Sequence, residues 1–448
     1  MASSPWVLAS RRVLHGKTLR DAAVLVDGES IEAVLRPDEI PADVAVVDMD
    51  DRVVMPGLVD SRVRLGEPGR AEWQGIAHTT RAAAAGGVTT IADLPLPTQP
   101  VTGTIEALEA KRWAARGHLH VDVGLHAVLL PGYQDQIEPL IDAGVVAFCA
   151  YLADPGVRDC RPLGVTDLEM AMPVLERRGL PLFVHPELSP PTRKKHASES
   201  DARCYAAYRA SRPSRWEVEA VEMMARLCRR TGARVQMAPL ASVHAVPPLR
   251  TAKEDGLPIG AGTAPHYLRF AAEEIPDGDP RFKCRPPIRG DEHRGGLWRA
   301  LREGLVDSIA SDHASAPAAR RHLESGNLRR AWPGIASLQV LLPSVWTLAL
   351  GRGFPLEQIA DWLSTGPAAL LGLEQKGKIA PGFDADFVVW DPEATFEVVG
   401  AQLEHRYPQT PWAGSTLFGV IERTFLRGRQ IYHRDDGFAE RSGQLLAR

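Results

Sequence analysis

The amino-acid sequence predicts a (β/α)8 barrel that is flanked by a small β domain built from both ends of the chain. Two observations predict this architecture. Apolar strand candidates alternate with Ala-, Leu- and Arg-rich helical stretches from residue 56 onward, and strand-like segments return after residue 377. For 448 residues, one large domain and one small domain is the economical division. We therefore assign residues 1–55 and 378–448 to the β domain and residues 56–377 to the barrel.

The N-terminal segment is predicted to form short strands, because it is rich in apolar and β-forming residues that glycine and proline interrupt. The candidates are residues 6–8, 23–26, 31–35 and 44–47.

Helices and strands then alternate. A helix over 79–85 precedes a strand over 89–94, and a helix over 223–230 precedes a strand over 235–237. Further strand candidates are residues 121–129, 145–151, 181–185, 235–238, 259–262 and 308–311. Their number is close to the eight strands of a closed barrel.

Two further strand-like segments follow the predicted barrel. Residues 382–392 and 419–432 have strand character, and we expect them to pair with the N-terminal strands.

The most polar segment, residues 189–215, directly follows a barrel strand and contains Arg193, Lys194 and Lys195. It is interpreted as either a solvated loop or a lid over the barrel mouth.

Composition narrows the functional classes. Lys and Arg total 52 against 56 Asp and Glu, so no global positive field indicates a nucleic acid or an anionic membrane as partner. No apolar run has the length of a membrane span, and no signal peptide is recognised. Five cysteines without CxxC spacing indicate neither a disulfide framework nor a thiolate zinc site, which favours the cytoplasm. A small molecule is the expected ligand.

Several motifs carry a resemblance to a known family. They are MPGLVD at 55–60, EPGR at 67–70, RAAAAGGVTT at 81–90, PHYL at 265–268, KCRPPIR at 283–289, SDH at 311–313 and KG at 376–377. Together they resemble the cyclic amidohydrolases, the group of allantoinases, dihydroorotases and hydantoinases. Residues 205–217 and 332–337 are most similar to the allantoinase subfamily. The resemblance spans essentially the whole chain and implies the same barrel.

The resemblance also implies a site at the C-terminal face of the barrel. Family members hold two divalent metals there with His-x-His, a carbamylated Lys, two further His and one Asp, and the metals activate a hydroxide. In this sequence Arg62 and Arg64 stand at the His-x-His positions, Cys149 at the Lys position and Pro239 at one further His position. Guanidinium groups have no lone pair to give, and a thiol forms no carbamate. We therefore expect neither a metal site nor another cofactor.

His185 and Asp312 stand at the two retained ligand positions. Each is a candidate for proton transfer. The alternatives are a leftover imidazole bound to Asp312 or to a backbone carbonyl, and a salt bridge from Asp312 to Arg62 or Arg64. Cys149 is a candidate nucleophile, with packing as a small buried residue the favoured alternative.

Arg62 and Arg64 are expected to bind an anionic ligand, because guanidinium forks suit carboxylate and phosphate. The alternative is that they neutralise Asp312, Glu67 or Glu187 and fill the old metal cavity. Arg289 and His313 stand in the family motifs and are assigned to substrate binding as well.

Three functions stay open, and so does the question whether the chain is an enzyme. The first is a metal-independent enzyme acting by acid/base chemistry on an anionic cyclic amide or ureide, or on its open form. The second is a catalytically silent protein that binds a ligand or supports an oligomeric partner. The third is residual hydrolysis with one metal on His185 and Asp312. The family habit implies a homodimer or homotetramer.

Overall fold

The strands form two separate sheets in the computed structural model, which describes residues 4–190 and 201–448. In chain order they are β1 (Trp6–His15), β2 (Thr18–Asp27), β3 (Ser30–Leu35), β4 (Ala45–Asp48), β5 (Val53–Pro56), β6 (Leu58–Val63), β7 (Val88–Asp93), β8 (Asp122–Val128), β9 (Ala147–Tyr151), β10 (Leu182–His185), β11 (Val235–Met237), β12 (Ile259–Thr263), β13 (Ser308–Ile309), β14 (Phe387–Glu397), β15 (Thr416–Leu426), β16 (Arg429–His433), β17 (Gly437–Phe438) and β18 (Leu445–Leu446).

Most of the helices lie between the barrel strands, on the outside of the barrel. They are α1 (Ile76–Ala85), α2 (Ile105–Ala115), α3 (Ile137–Asp142), α4 (Val165–Arg177), α5 (Tyr205–Ala210), α6 (Arg215–Thr231), α7 (Val246–Glu254), α8 (Pro265–Arg269), α9 (Asp291–Arg302), α10 (Ala318–Arg321), α11 (Leu341–Leu350), α12 (Leu356–Ala360) and α13 (Gly366–Leu371).

Strands β6 to β13 follow one another in sequence order and pair in parallel, which is the arrangement of a (β/α)8 barrel. A parallel bridge between Val63 and His313 joins the first strand to the segment after the last. The barrel is therefore nearly closed, as the sequence predicts. Its strands are almost wholly buried because helices cover the outside and side chains fill the interior.

The last barrel strand is shorter than the predicted range of 308–311. It ends at Ile309, and the amide of Ser311 donates to the carboxylate of Asp60 at 3.2 Å instead of to a neighbouring strand. This contact joins the first and last barrel strands through a side chain, directly below the barrel mouth.

The second sheet contains strands from both ends of the chain. β14 pairs antiparallel with β5, so that Val389 lies opposite Val54. The predicted discontinuous β domain is confirmed, while the exact boundaries at residues 55 and 377 stay predictions. The predicted strand over 419–432 is two strands, β15 and β16, because Arg427 and Gly428 turn the chain with φ values of 44° and 74°.

The polar segment over 189–215 lies partly outside the described residues, and this includes Arg193, Lys194 and Lys195. Its described part is packed against the body of the protein. The Tyr208 hydroxyl on α5 donates to the carbonyl of Cys284 at 2.6 Å. Arg212 follows α5 and reaches the barrel mouth. No helix within the described ranges has both the length and the apolar character that a bilayer crossing requires.

Candidate functional site

A small cavity opens at the C-terminal ends of the barrel strands and has a volume of about 60 Å³. This is the face on which barrel enzymes place their active sites. Charged, aromatic and apolar side chains from loops around the whole barrel line it. They are Arg64, Leu96, Pro97, Tyr151, Asp154, Pro155, Val157, His185, Arg212, Arg285, Asp312, Trp332, Pro333 and Gly334.

Two arginines share one carboxylate, that of Asp312; Arg64 and Asp312 line the cavity, whereas Arg62, which we expected to bind a ligand, does not. Arg62 Nη2 lies 3.3 Å from Asp312 Oδ1, and Arg64 Nη1 lies 3.2 Å from the same oxygen. The side chain of Arg62 is only 3% exposed and that of Arg64 is 18% exposed. Burial by itself would raise the pKa of Asp312, but the two guanidinium groups bring it below its usual value. Asp312 is therefore ionised and already bound within the protein.

Asp312 also has a backbone conformation that is unusual for a residue with a side chain. Its φ is 46°, in the left-handed region that costs most residues free energy. Conformations of this kind cluster at functional sites, where surrounding contacts hold them in place. The Arg64 hydrogen bonds supply such contacts for Asp312.

Asp60 lies next to this cluster and was not assigned by sequence reasoning. Its carboxylate accepts hydrogen bonds from the amides of Arg62 and Ser311. Complete burial raises its pKa to about 7. The available signal was its place in the MPGLVD motif, within the first barrel strand.

His185 lies on β10 and forms a buried ion-pair network with two residues that sequence reasoning did not combine with it. Its Nε2 lies 2.8 Å from Glu187 Oε2, and Arg212 Nε donates to Glu187 Oε1 at 2.9 Å. Burial alone would raise the pKa of Glu187, but Arg212 and His185 lower it below its usual value. The pKa of His185 is itself lowered, chiefly by burial. Its Nδ1 has no hydrogen-bond partner among the described residues.

Cys149 lies inside the barrel rather than on the wall of the cavity. Its Sγ is 3.3 Å from Nδ1 of His126, a residue of β8 that sequence reasoning missed. Burial raises the pKa of the Cys149 thiol to about 12 and lowers the pKa of His126 to about 3. Both groups are therefore neutral at ordinary pH, and the thiol is no ready nucleophile.

Arg289 and His313, which we assigned to substrate binding, do not line the cavity. Arg289 binds Glu217 through Nη2 at 2.7 Å, and its Nη1 donates to a backbone carbonyl. His313 Nδ1 accepts a hydrogen bond from the amide of Ser337 at 3.1 Å. Both side chains are occupied in holding neighbouring loops.

Arg285 lines the cavity instead, four residues before Arg289 in the same KCRPPIR run. Its Nη1 donates to the backbone carbonyls of Pro155 at 3.1 Å and Asp154 at 3.4 Å. Within the described residues it has no ion pair with a carboxylate, and its buried Nε has no hydrogen-bond partner. Burial, followed by the charge of Arg212, lowers its pKa. Among the described residues, the Arg285 guanidinium is therefore a buried cation without an ion-pair partner.

The side chains at the mouth do not fit a two-metal centre. Among residues 4–190 and 201–448, no group of three or more His, Cys, Asp or Glu side chains is placed to hold a metal ion. His185 Nε2 contacts Glu187, and Asp312 contacts two guanidinium groups. The two retained ligand positions are therefore already paired with other side chains.

Comparison with known proteins gives a consistent result over the whole length. The model of the Amidohydrolase family matches residues 53–431. The chain is 41% identical to an allantoinase of Streptomyces avermitilis, covering 100% of both chains. It is 38% identical to an allantoinase of Saccharomyces cerevisiae, covering 88% of this chain and 86% of the relative. The resemblance to allantoinases is therefore confirmed.

Solved structures agree with this result. The L-hydantoinase (dihydropyrimidinase) of Arthrobacter aurescens superposes with a TM-score of 0.92 at 26% identity, covering 99% of each chain. A D-hydantoinase structure superposes with a TM-score of 0.89 at 23% identity, covering 99% of each chain, and supports the fold alone. The barrel, the β domain and the sequence motifs all agree with the family match. This chain therefore belongs to the amidohydrolase family.

Proposed function

We propose that this amidohydrolase-family protein binds an anionic small molecule at the barrel mouth, with guanidinium groups in place of the two-metal centre. The expected ligand is an anionic cyclic amide or ureide, or its ring-opened acid. The observation that carries the proposal is the sharing of one carboxylate, Asp312, by Arg62 and Arg64. Two cations on one anion leave a positive charge that an anionic ligand neutralises.

The same proposal includes metal-independent acid/base chemistry. The contact between His185 Nε2 and Glu187 orients the imidazole and leaves Nδ1 for proton transfer. Asp312 is the second candidate for proton transfer, and as an ionised carboxylate it would accept the proton. We assign a packing role to Cys149, because its contact with His126 is buried and neutral.

A second candidate is a catalytically silent subunit. The internal pairing of Asp312, Glu187 and His185 favours it, because each of these groups already has a protein partner. In both cases we propose a cytoplasmic homodimer or homotetramer without nucleic-acid partners. Light scattering of the purified protein measures the oligomeric state, and a monomer would contradict this part of the proposal.

A third candidate is hydrolysis of allantoin with a bound metal. It is favoured by the full-length similarity to proteins named allantoinase. Its chemistry would depend on His185 and Asp312, which would have to leave their present partners.

The deciding experiment combines elemental analysis for divalent metals with hydrolysis assays on allantoin, hydantoin and dihydroorotate. Less than about 0.1 metal per chain and no turnover supports the proposal. Stoichiometric metal with turnover of allantoin supports the third candidate and overturns metal independence. Titration calorimetry with ring-opened ureido acids then tests anion binding, using Arg62→Ala and Arg64→Ala. Unchanged dissociation constants in both variants would contradict the role of the arginines.

A further inference from the structure

The barrel mouth contains two positive charges more than its internal ion pairs neutralise. Arg62 and Arg64 share Asp312, which leaves one charge in excess. Arg285 has no carboxylate within ion-pair distance in the described part of the chain, which leaves a second. Arg212 adds none, because Glu187 binds it directly.

The two excess charges lie on different sides of the cavity. Arg64 directly follows β6, the first strand of the barrel, and contacts Asp312 beside the closure. The Arg285 guanidinium contacts the loop that follows β9, the fourth strand, through the carbonyls of Asp154 and Pro155. The first and fourth strands of an eight-stranded barrel are three positions apart around its circumference, close to opposite. Two positive charges held by different parts of the barrel suit a ligand with two anionic groups.

Asp154 lines the same cavity and is the nearby carboxylate to consider, but it forms no ion pair with Arg285. Asp154 is exposed, and its carboxylate accepts a hydrogen bond from the amide of Gly156 at 2.8 Å within its own loop. Tyr151, Trp332 and Pro97 line the same cavity as Arg64 and Arg285. A cavity of about 60 Å³ has room for roughly four water molecules. The space therefore suits a short carbon chain with a charge at each end.

We propose that the mouth selects a short-chain dicarboxylate, with one carboxylate on Arg64 and the other on Arg285. This inference rests on the proposed function, since it specifies the class of anion. Each guanidinium binds a carboxylate with two parallel hydrogen bonds, and the apolar wall contacts the methylene groups between them.

The test compares ligands of equal size and different charge by titration calorimetry at pH 7. Succinate carries two carboxylates, and succinamate replaces one of them with a neutral amide. Acetate and inorganic phosphate complete the set. We expect succinate to bind at least about tenfold more tightly than succinamate, which corresponds to one charge-assisted hydrogen-bonded pair.

Variants locate the second carboxylate. Arg285→Gln is expected to remove the preference for succinate over succinamate, and Arg285→Lys to keep part of it, because the charge remains without the fork. Arg250→Gln is the matched control, since Arg250 pairs with Glu303 on the outside of the barrel. It should change no dissociation constant. Circular dichroism verifies that each variant is folded.

The outcomes separate this inference from the proposed function. Equal affinity for succinate and succinamate, or tighter binding of phosphate than of succinate, would overturn the dicarboxylate and leave anion binding intact. A preference for succinate that persists in Arg285→Gln would also overturn it. Failure of every anion to bind the wild-type protein would overturn both proposals.

Discussion

Arg64 contacts Asp312 at two points, with Nη1 3.2 Å from Oδ1 of the carboxylate and 3.4 Å from the backbone carbonyl oxygen. The two residues lie 248 positions apart in the chain. Their contact lies beside the junction of the first and last barrel segments and fixes a residue whose φ is 46°. A side chain from the first strand therefore maintains both the charge and the backbone conformation of the last segment.

Removing this carboxylate should destabilise the protein strongly. Asp312→Ala leaves Arg62 and Arg64 buried without a partner, so we expect the free energy of unfolding to fall by about 3–5 kcal/mol. Urea unfolding followed by circular dichroism measures the change. The control is Asp51→Ala, because the partner of Asp51, Arg11, is largely exposed. This substitution should change the free energy of unfolding far less than Asp312→Ala. Equal effects of the two substitutions would contradict a buried ion-pair cluster.

Restoring the family's ligand types should create metal affinity. The variant combines Arg62→His, Arg64→His, Cys149→Lys and Pro239→His, beside the existing His185 and Asp312. We expect the wild-type protein to hold less than about 0.1 metal per chain and the variant to bind zinc. Inductively coupled plasma mass spectrometry after dialysis measures both. A variant with only the two arginine substitutions serves as control. Zinc bound to the wild-type protein would contradict the inference that this chain has lost the family's metal ligands.

The Cys149 thiol should be unreactive towards thiol reagents in the folded protein. Burial raises its pKa to about 12, so at pH 8 it remains a neutral thiol that the barrel shields from reagents. We expect a disulfide reagent to modify the partly exposed Cys204 in the native state and Cys149 only after unfolding. Mass spectrometry of digests identifies the labelled site. For any activity found, Cys149→Ser should change kcat less than about twofold, and a hundredfold loss would indicate a nucleophile.

Glu187 should make stability depend on acid pH. Its pKa is lowered in the folded state, so the carboxylate stabilises the fold above about pH 4.5, and this contribution is lost as pH falls further. Glu187→Gln should therefore lower the free energy of unfolding by about 3–5 kcal/mol at pH 7. The difference from the wild type should shrink below about pH 4.5. Urea unfolding at several pH values measures it, with the exposed Glu219→Gln as control. A difference that does not vary with pH would contradict the assignment.

Several features of this protein follow from the order of its residues alone. Apolar strands alternating with helices predict the barrel, because each strand must be covered by the helix that follows it. Arg62 and Arg64 end the first strand, His185 ends the fifth, and Asp312 follows the last. Parallel strands place these ends on one face, so their convergence could be predicted without coordinates. The motifs also predict the family.

The partners of these side chains depend on contacts between distant segments, and local sequence does not encode them. Arg285 and Arg289 belong to one short run, yet Arg285 faces the cavity while Arg289 binds Glu217 on α6. The path of their loop across the mouth decides which one lines the cavity. Likewise, Cys149 meets His126 because β9 and β8 are neighbours in a specific register. The sequence alone therefore determines which strand ends share one face of the barrel, whereas only tertiary packing decides which side chains line the cavity there and which of their charges are paired.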